Sequence, residues 1–464
     1  MKVFFYTLGC KVNQVDTEEL KEQFRQSGFE VLSKYQPDAD LYIVNTCTVT
    51  HVSDRKSKAL LRRLIRSHPQ AMVMATGCLA QLEGRQLAEI EGMTMVISNQ
   101  DKGQLVQQVL ERIKKPSSTA NVNTSSASVW GELKPICTQN PQDRYRAMVK
   151  IQDGCDSFCS FCLVPYARGP VRSKAHSEVL REIQHLVQFG YQEIVLTGIH
   201  LGCYGKDLKG WNLTSLLVYL LELLPSSVRV RLGSLEPLEV TEELLALFKQ
   251  DERLCRHFHI PIQSGSNAVL KSMNRHYTRD YYYELAEKIV VHVENAALCS
   301  DIMVGFPNET PEDFQATLDI VRDLPFSDLH VFKYSMRPGT VAAGISNNVK
   351  ETEKNRRSQA LLQLAELKNE QFRAKQIGRT LQVLVDKKKD ANCYNGLSSN
   401  YLEVEFDSGY DYRGQLIQVQ MTDKYKGQLG EGASKYSERA EYQEIFLQGK
   451  EVEPTNTEVF EALR

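Results

Sequence analysis

The sequence predicts an α/β protein of three units: an N-terminal α/β domain with a parallel sheet, a central full or partial (β/α) barrel, and a small C-terminal antiparallel β-barrel. Three observations predict it. Apolar strand-like runs alternate with helical patterns along most of the chain. A stretch rich in Ser, Thr, Asn and Pro at 115–143 splits that alternation in two. After residue 375 the pattern changes to short strands punctuated by Gly and Asn. With 464 residues, 42% of them hydrophobic, the chain buries several cores without disulfide staples.

In the first unit (1–114), KVFFYTL (2–8) reads as a strand, TEELKEQFRQSGF as a helix stopped by Gly28, and LYIVNTC (41–47) as a second strand. A basic helix from Ser53 to Ser67, a buried strand AMVMATGC (71–78), a further helix and MVIS (95–98) complete it. Strand–helix alternation implies a parallel sheet whose strand C-termini carry function, and Cys10, Cys47 and Cys78 all sit at that edge. Residues 115–143 read as a linker. The second unit (144–375) offers six strands: AMVKIQD, EIVLTGI (193–199), VRVRLGS (228–234), HFHIPIQ (257–263), LCSDIMVGFP (298–307) and LHVFKYS (329–335). A long polar helix over 350–378 closes it. LQVLVDKKKD, LEVEF and QLIQVQMTD form the expected small barrel at 376–442, and 443–464 reads as a patternless tail.

Composition narrows the setting. A formal net charge of −2 neither supports nor excludes a nucleic-acid partner, which local basic patches would have to meet. Eleven cysteines, an odd number in a long chain, fit a reducing compartment with metal or catalytic thiols. The start MKVFFYTLGC is similar to a lipoprotein cleavage site, but its apolar run lies between Lys2 and Lys11 and is too short for a signal. The most apolar later window, LTSLLVYLLELLP (213–225), carries Glu222 and falls short of the ~20 residues a bilayer needs. A cytoplasmic protein with no membrane partner is expected.

The segment DGCDSFCSFC (153–162) carries the chemistry. Cys155, Cys159 and Cys162 follow a C-x3-C-x2-C spacing with no fourth Cys or His close by until His176, so a structural zinc cage is incomplete. Three thiolates on a cluster of four irons and four sulfides leave one iron open to a substrate or cofactor. This spacing, with Phe161 before the last cysteine, closely resembles the radical S-adenosylmethionine (SAM) superfamily. The resemblance implies that Cys155, Cys159 and Cys162 hold a radical-generating 4Fe-4S cluster whose open iron chelates SAM. It places Phe161 near the adenine, Thr197 and Gly198 of TGIH (197–200) against SAM, and Glu236 and Gln263 at its ribose or amino-acid part. TGIH departs from the usual Gly-Gly-Glu form, and loop capping or core packing equally explains Glu236, Gln263 and Phe161.

CLVPYARGPVRSK, GSLEP (233–237), PIQSGSNAVLKSMNR (261–275), DIMVGFPNET (301–310) and YSMRPGTVAA (334–343) resemble the motifs of the methylthiotransferase subgroup. GCKVNQVDTEE (9–19), VNTCTV (44–49) and ATGCLAQ (75–81) resemble its three N-terminal cysteine loops. In that family the three loops hold an auxiliary 4Fe-4S cluster, here Cys10, Cys47 and Cys78; unrelated buried thiols are the bland alternative. The family converts C–H into C–S–CH3 with two SAM molecules, a step for which acid–base catalysis is inadequate, and needs an electron donor that these residues do not identify. The C-terminal unit resembles a TRAM domain, an OB-like module that can bind RNA. There Lys387, Lys388 and Lys389 form a basic cluster, which a solvated loop explains as well, whereas LEVEFDSGYDY (402–412) is acidic.

Family members act on adenosine 37 of tRNA or on a ribosomal-protein aspartate. GCKVNQ resembles the branch directed at N6-threonylcarbamoyladenosine in tRNA, followed by the N6-isopentenyladenosine branch and then the ribosomal-protein branch. On the helix 53–67, Arg55, Lys58, Arg62 and Arg66 share one face beside the Cys47 loop, as either an RNA-phosphate contact or a solvated face. A zinc-binding RNA adaptor and an electron-transfer protein are the rival readings. Cys137, Cys203, Cys255, Cys299 and Cys393 are expected to be structural or incidental, and His257 and His259 to be packed strand residues without a ligand role.

Overall fold

The computed structural model describes residues 1–115, 121–123, 130–131, 133, 145–346, 348–389, 392–422 and 446–451. The first sheet is built from Lys2–Thr7 (β1), Glu30–Val31 (β2), Leu41–Thr46 (β3), Met72–Gly77 (β4), Met95–Ile97 (β5) and Asn121–Asn123 (β6). It runs β2-β1-β3-β4-β5-β6, and every pair is parallel. Helices α1 (Lys11–Gln26), α2 (His51–Ser67), α3 (Cys78–Ala88) and α4 (Leu105–Lys114) cover both faces, as a parallel sheet requires. Val3 and Phe5 pack with Leu20, Phe24, Leu105 and Val109 of α1 and α4. Tyr42 and Val44 pack on the other side with Leu60, Leu61, Leu64 and Leu79 of α2 and α3.

The stretch expected as a linker is therefore not wholly irregular. β6 lies inside 115–143 and pairs with β5, whose outer N–H and C=O groups would otherwise form an open edge.

The central unit places Arg146–Lys150 (β7), Glu193–Thr197 (β10), Arg229–Leu232 (β11), His257–His259 (β12), Ala297–Val304 (β13) and Phe326–Lys333 (β14) around a partial barrel. The short Gln152–Asp153 (β8) and Arg172–Ser173 (β9) form a ribbon beside it. The two halves, β11-β10-β7 and β12-β13-β14, are parallel within themselves. Single bridges at Val230–Leu254 and Ser234–His259 join them. Val164–Arg168 (α5), His176–Gln188 (α6), Leu213–Leu223 (α7), Glu242–Gln250 (α8), Asn267–Ser272 (α9), Arg279–His292 (α10) and Pro311–Asp323 (α11) follow the strands. The apolar window at 213–225 is an ordinary core helix: Leu213, Leu216, Leu217, Leu220 and Leu221 are buried. Each such side chain stabilises the fold by ~1.5–3 kcal/mol. No helix among the described residues is long and apolar enough to cross a membrane.

Glu351–Ala374 (α12) packs on β14 and leads into Thr380–Lys388 (β15), Cys393–Ser398 (β16), Glu403–Asp407 (β17) and Leu416–Met421 (β18). Phe446–Glu451 (β19), in the segment expected as a tail, closes this barrel by pairing antiparallel with β18 and parallel with β17. Closure leaves no strand edge, and it makes one pair of the expected antiparallel barrel parallel.

The small barrel stoppers the lower end of the large one. Glu193, Arg229 and Arg231 are buried there. Arg229 Nε and Arg231 Nε donate to the Glu193 carboxylate at 2.7 and 2.8 Å. Their remaining N–H groups donate to the carbonyls of Gln382, Leu397, Ser398 and Ser399 at 2.7–3.0 Å. Despite desolvation, the two guanidinium groups hold Glu193 at about 2, below its ordinary 4.5. A carboxyl lowered in the folded state contributes stability that is complete above pH 4.5 and is lost as pH falls towards 2. Glu193→Gln should lower unfolding stability at neutral pH by ~3–5 kcal/mol, by leaving buried guanidinium charge unmatched. Thermal scans should also show less acid-induced loss below pH 4.5 in the variant than in the parent.

Candidate functional site

The first set of thiols lies where three strands end. Gly9 and Gly77, at φ +98° and +97°, turn the chain from β1 and β4 into helices. Cys10 is thereby the cap residue of α1 and Cys78 the first residue of α3. Cys47 follows β3, three residues ahead of Thr50, whose hydroxyl caps α2. Helix N-termini favour negative charge, so the setting suits thiolates. A Cβ on Gly9 would lie 2.7 Å from Cys47 Sγ, which shows how closely the first two loops approach. Cys10 and Cys47 are raised by desolvation, and Cys10, Cys47 and Cys78 act on one another electrostatically.

The second set follows β8. Gly154, at φ +78°, admits no side chain, because a Cβ would fall 1.8 Å from the Pro170 carbonyl oxygen. Phe158 is held at φ +43° while Asn274 Nδ2 donates to the Ser157 and Phe158 carbonyls at 3.3 and 3.1 Å. Ser160 is tied by its N–H to Met273 (3.0 Å) and by its carbonyl to the N–H of Ala342 (2.7 Å). The loop is thus anchored on both sides. Desolvation raises Cys159, and it pushes Cys162 up to about 12. Cys155 is lowered: hydrogen bonds from His200 and Ser157 outweigh its desolvation.

The donor sets can be tested against the metal groups they would hold. Among the described residues only two groups bring three ligand atoms all within 4.8 Å, His200–Cys203–Glu239 and His259–Asp301–His330. Both cysteine triads are wider than that, whereas tetrahedral zinc with Zn–S near ~2.3 Å would draw sulfurs to about 3.8 Å. Three spread thiols suit a multi-iron cluster. His200 adjoins the second set through hydrogen bonds. Its Nδ1 faces Ser157 Oγ at 3.1 Å and Cys155 Sγ at 3.5 Å, and its Nε2 sits against Glu239. Against desolvation, the contacts with Cys155, Cys203 and Glu239 push His200 up to about 12. Thiols raised by burial become good ligands once a metal displaces their protons.

The two sets are joined through α5. Cys155 N–H donates to the Gly169 carbonyl at 3.0 Å. Two residues earlier, the Ala167 carbonyl accepts from Asn99 Nδ2 at 2.9 Å, and the same amide lies 3.5 Å from Cys78 Sγ. Between them Arg168, buried, contacts Asp16 (2.9 Å), Asp153 (3.1 Å) and Asn13 Oδ1. Asp16 also pairs with Lys102 at 2.9 Å and with Lys150. Desolvation opposes its charge, yet Arg168, Lys102 and Lys150 hold it well below the usual carboxylate range. On the far side of the interface Arg337 donates to Thr48 Oγ1 at 2.6 Å and pairs with Asp54.

The remaining expected residues divide. Phe161 packs against the Val269, Met273 and Phe306 cluster, meeting Phe306 edge-on at 6.5 Å. Thr197 is buried, and Gly198 lies so close to Gln152 that a Cβ would fall 2.8 Å from its Oε1. Glu236 is taken by Arg275 at 2.6 Å and by a capping box. Gln263 has the strained φ of +65°, and its side-chain amide has no partner among the described residues. On α2, Arg55, Arg62 and Arg66 are exposed as expected of a basic face; Lys58 instead is half-buried and paired with Glu83 at 2.6 Å. Lys389 pairs with Glu405 at 2.9 Å. Cys203, Cys255 and Cys299 are buried, and Cys137 lies outside the described residues. Residue spacing did not single out Asp16, Asn99, Arg168, His200 or Arg275. Arg168 lies inside a quoted motif, but its partner Asn13 is 155 residues away.

Residues 2–98 match a family described as "Uncharacterized protein family UPF0004", and residues 149–321 match the radical SAM superfamily. The chain is 37% identical to "Threonylcarbamoyladenosine tRNA methylthiotransferase MtaB" of Bacillus subtilis, over 90% of this chain and 93% of that one. The protein of that name from Aquifex aeolicus is also 37% identical, over 90% and 100%. "tRNA-2-methylthio-N(6)-dimethylallyladenosine synthase" of Carboxydothermus hydrogenoformans is 33% identical over 90% and 96%. In three dimensions the chain is similar to the radical SAM methyltransferase TsrM of Kitasatospora setae, with a TM-score of 0.55 at 15% identity, covering 74% of this chain and 73% of that one. That likeness concerns the fold alone.

The Arg168 network predicts a two-unit unfolding phenotype. Arg168→Met removes the guanidinium that Asp16 and Asp153 share and leaves them to Lys102 and Lys150, at a cost of ~3–5 kcal/mol. Calorimetry should then show the N-terminal unit melting separately, at a lower temperature than in the parent protein.

Proposed function

The chain belongs to the radical SAM methylthiotransferases, and from that premise we propose that it adds a methylthio group to carbon 2 of N6-threonylcarbamoyladenosine at tRNA position 37, giving 2-methylthio-N6-threonylcarbamoyladenosine. One observation carries the reading: two three-cysteine sets, neither already drawn together as around a single ion, are both tied to α5 and its buried arginine. Similarity to relatives named for this nucleoside supports the choice of acceptor.

Cys155, Cys159 and Cys162 would hold the radical-generating 4Fe-4S cluster, and Cys10, Cys47 and Cys78 the auxiliary one. When bound, the clusters and SAM supply the electron, radical, sulfur and methyl chemistry that turns C–H into C–S–CH3. The chain's own residues position and enclose. Gly154, Asn274 and Ser160 fix the second thiol loop. Gly198 and the unpartnered amide of Gln263 offer SAM a close backbone approach and a polar contact, and Phe161 an aromatic edge. Exposed Arg55, Arg62 and Arg66 give the tRNA backbone a phosphate-binding face beside the Cys47 loop. A tRNA substrate places this work in the cytoplasm, with a reductant as further partner.

Anaerobically reconstituted protein should contain about eight irons, and Cys159→Ala about four, with SAM cleavage abolished. Cys47→Ala should also drop to about four irons yet still cleave SAM without forming the methylthio nucleoside. Zinc without iron would contradict the reading. Mass spectrometry of tRNA nucleosides from cells lacking the gene should show the threonylcarbamoyl nucleoside without its 2-methylthio form. Loss of the methylthio form of dimethylallyladenosine, or of a modified ribosomal aspartate, would transfer the chain to another branch.

A further inference from the structure

A group of polar side chains inside the large barrel is used by neither thiol set. Lys11, next to Cys10, is exposed, and its ammonium lies 5.9 Å from the centroid of the Tyr401 ring of the C-terminal barrel. Tyr401 stacks on His257 at 4.3 Å and 17°. His257 and His259 share one face of β12. His259 Nε2 and His330 Nδ1 both donate to the same oxygen of Asp301, each at 2.9 Å. All three units of the chain therefore contribute to one place. His259 thus belongs to a cluster, which the strand pattern alone did not indicate.

The one carboxylate and the one permanent cation of this cluster are not paired with each other. The Asp301 carboxylate is divided between two imidazoles, which with desolvation opposing hold it below the usual carboxylate range. Among the described residues Lys11 has no carboxylate partner, and His330 Nε2 has no hydrogen-bond partner. Desolvation works against the charge on His330, but the hydrogen bond to Asp301 prevails and raises it above its ordinary value. From this exposed position Lys11 acts electrostatically on His257, Cys299 and His330, on three different strands. The His330 side chain is 36% exposed, so the space it faces is open.

We propose that Lys11 and His330 form the receptor for the carboxylate of the substrate's threonylcarbamoyl group, an inference that rests on the nucleoside named above. That group carries an anionic carboxylate and a hydroxyl, whereas a dimethylallyl group is hydrocarbon. An unmatched ammonium, beside an imidazole whose hydrogen bond to Asp301 favours its protonated form, rewards an anion and gains nothing from a hydrocarbon, so the same pair selects between the two. Lys11 adjoins a ligand of the auxiliary set, so an adenine whose N6 substituent reaches it lies beside that set.

The test uses reconstituted full-length holoenzyme and synthetic anticodon stem-loops titrated by fluorescence anisotropy. Position 37 carries threonylcarbamoyladenosine, its threonine methyl ester, or dimethylallyladenosine. The parent protein should bind the free acid at least ~10-fold more tightly than the ester, as loss of a charge-assisted hydrogen bond implies. Lys11→Gln should erase that difference and Lys11→Arg retain it. His330→Gln should reduce it, and serves as the deciding variant if Lys11→Gln loses iron. A Lys11→Gln protein, or in that case a His330→Gln protein, that keeps the full preference for acid over ester overturns the inference while leaving the proposed nucleoside standing. A parent protein with no preference for the threonylcarbamoyl loop over the dimethylallyl loop overturns the nucleoside assignment, and the inference with it.

Discussion

The arrangement depends on one buried cation. Arg168 sits at the end of α5, directly after the second thiol loop, and its guanidinium is shared between Asp153 of the barrel and Asp16 of α1. Its charge offsets the cost of burying both carboxylates, and theirs offsets the cost of burying it. Lys102, Lys150, Glu19 and Arg172 extend the set, so a network of alternating charges spans the interface. Because Cys10 caps α1 and the chain leading into α5 holds Cys162, fixing this cluster fixes one thiol set relative to the other. A salt bridge of this kind contributes specificity of docking more than net stability.

The second constraint lies at the opposite end of the barrel. Arg229 and Arg231 spend their donors on Glu193 and on carbonyls of the C-terminal barrel, so that barrel is seated largely through its backbone. Seating it there carries Tyr401, at a left-handed φ of +69°, into contact with His257. The interior between this stopper and the thiol loops is then lined by polar strand residues, among them His259, Asp301 and His330. An α/β barrel usually fills its interior with branched apolar side chains. This one keeps polar groups there, as a ligand site would.

Much of this was legible in the chain. Strand–helix alternation gave the parallel sheet and the partial barrel, because both periods are set by which faces are covered. The six cysteines stood out by the C-x3-C-x2-C spacing of one set and the strand-end positions and motif resemblance of the other; the structure adds that Gly9, Gly77 and Gly154, beside three of them, occupy conformations that side chains avoid. What escaped was pairing at long range. Asn121–Asn123 and Phe446–Glu451 are too short and too polar in context to announce themselves, and they become strands because an edge awaits them. Lys58 falls on the basic face of α2 by periodicity, but Glu83 of the next helix draws it in. Asp16, Arg168 and Lys11 are ordinary charged residues until the fold brings their partners from other units.

The central claim is that two iron-binding sets lie close enough to act on one substrate. Electron paramagnetic resonance of the fully reduced, anaerobically reconstituted protein tests it directly. If the sets are adjacent, the two paramagnetic centres interact, and the spectrum departs from the sum of spectra recorded on variants that keep only one set. A spectrum equal to that sum would mean two isolated centres and would contradict the account.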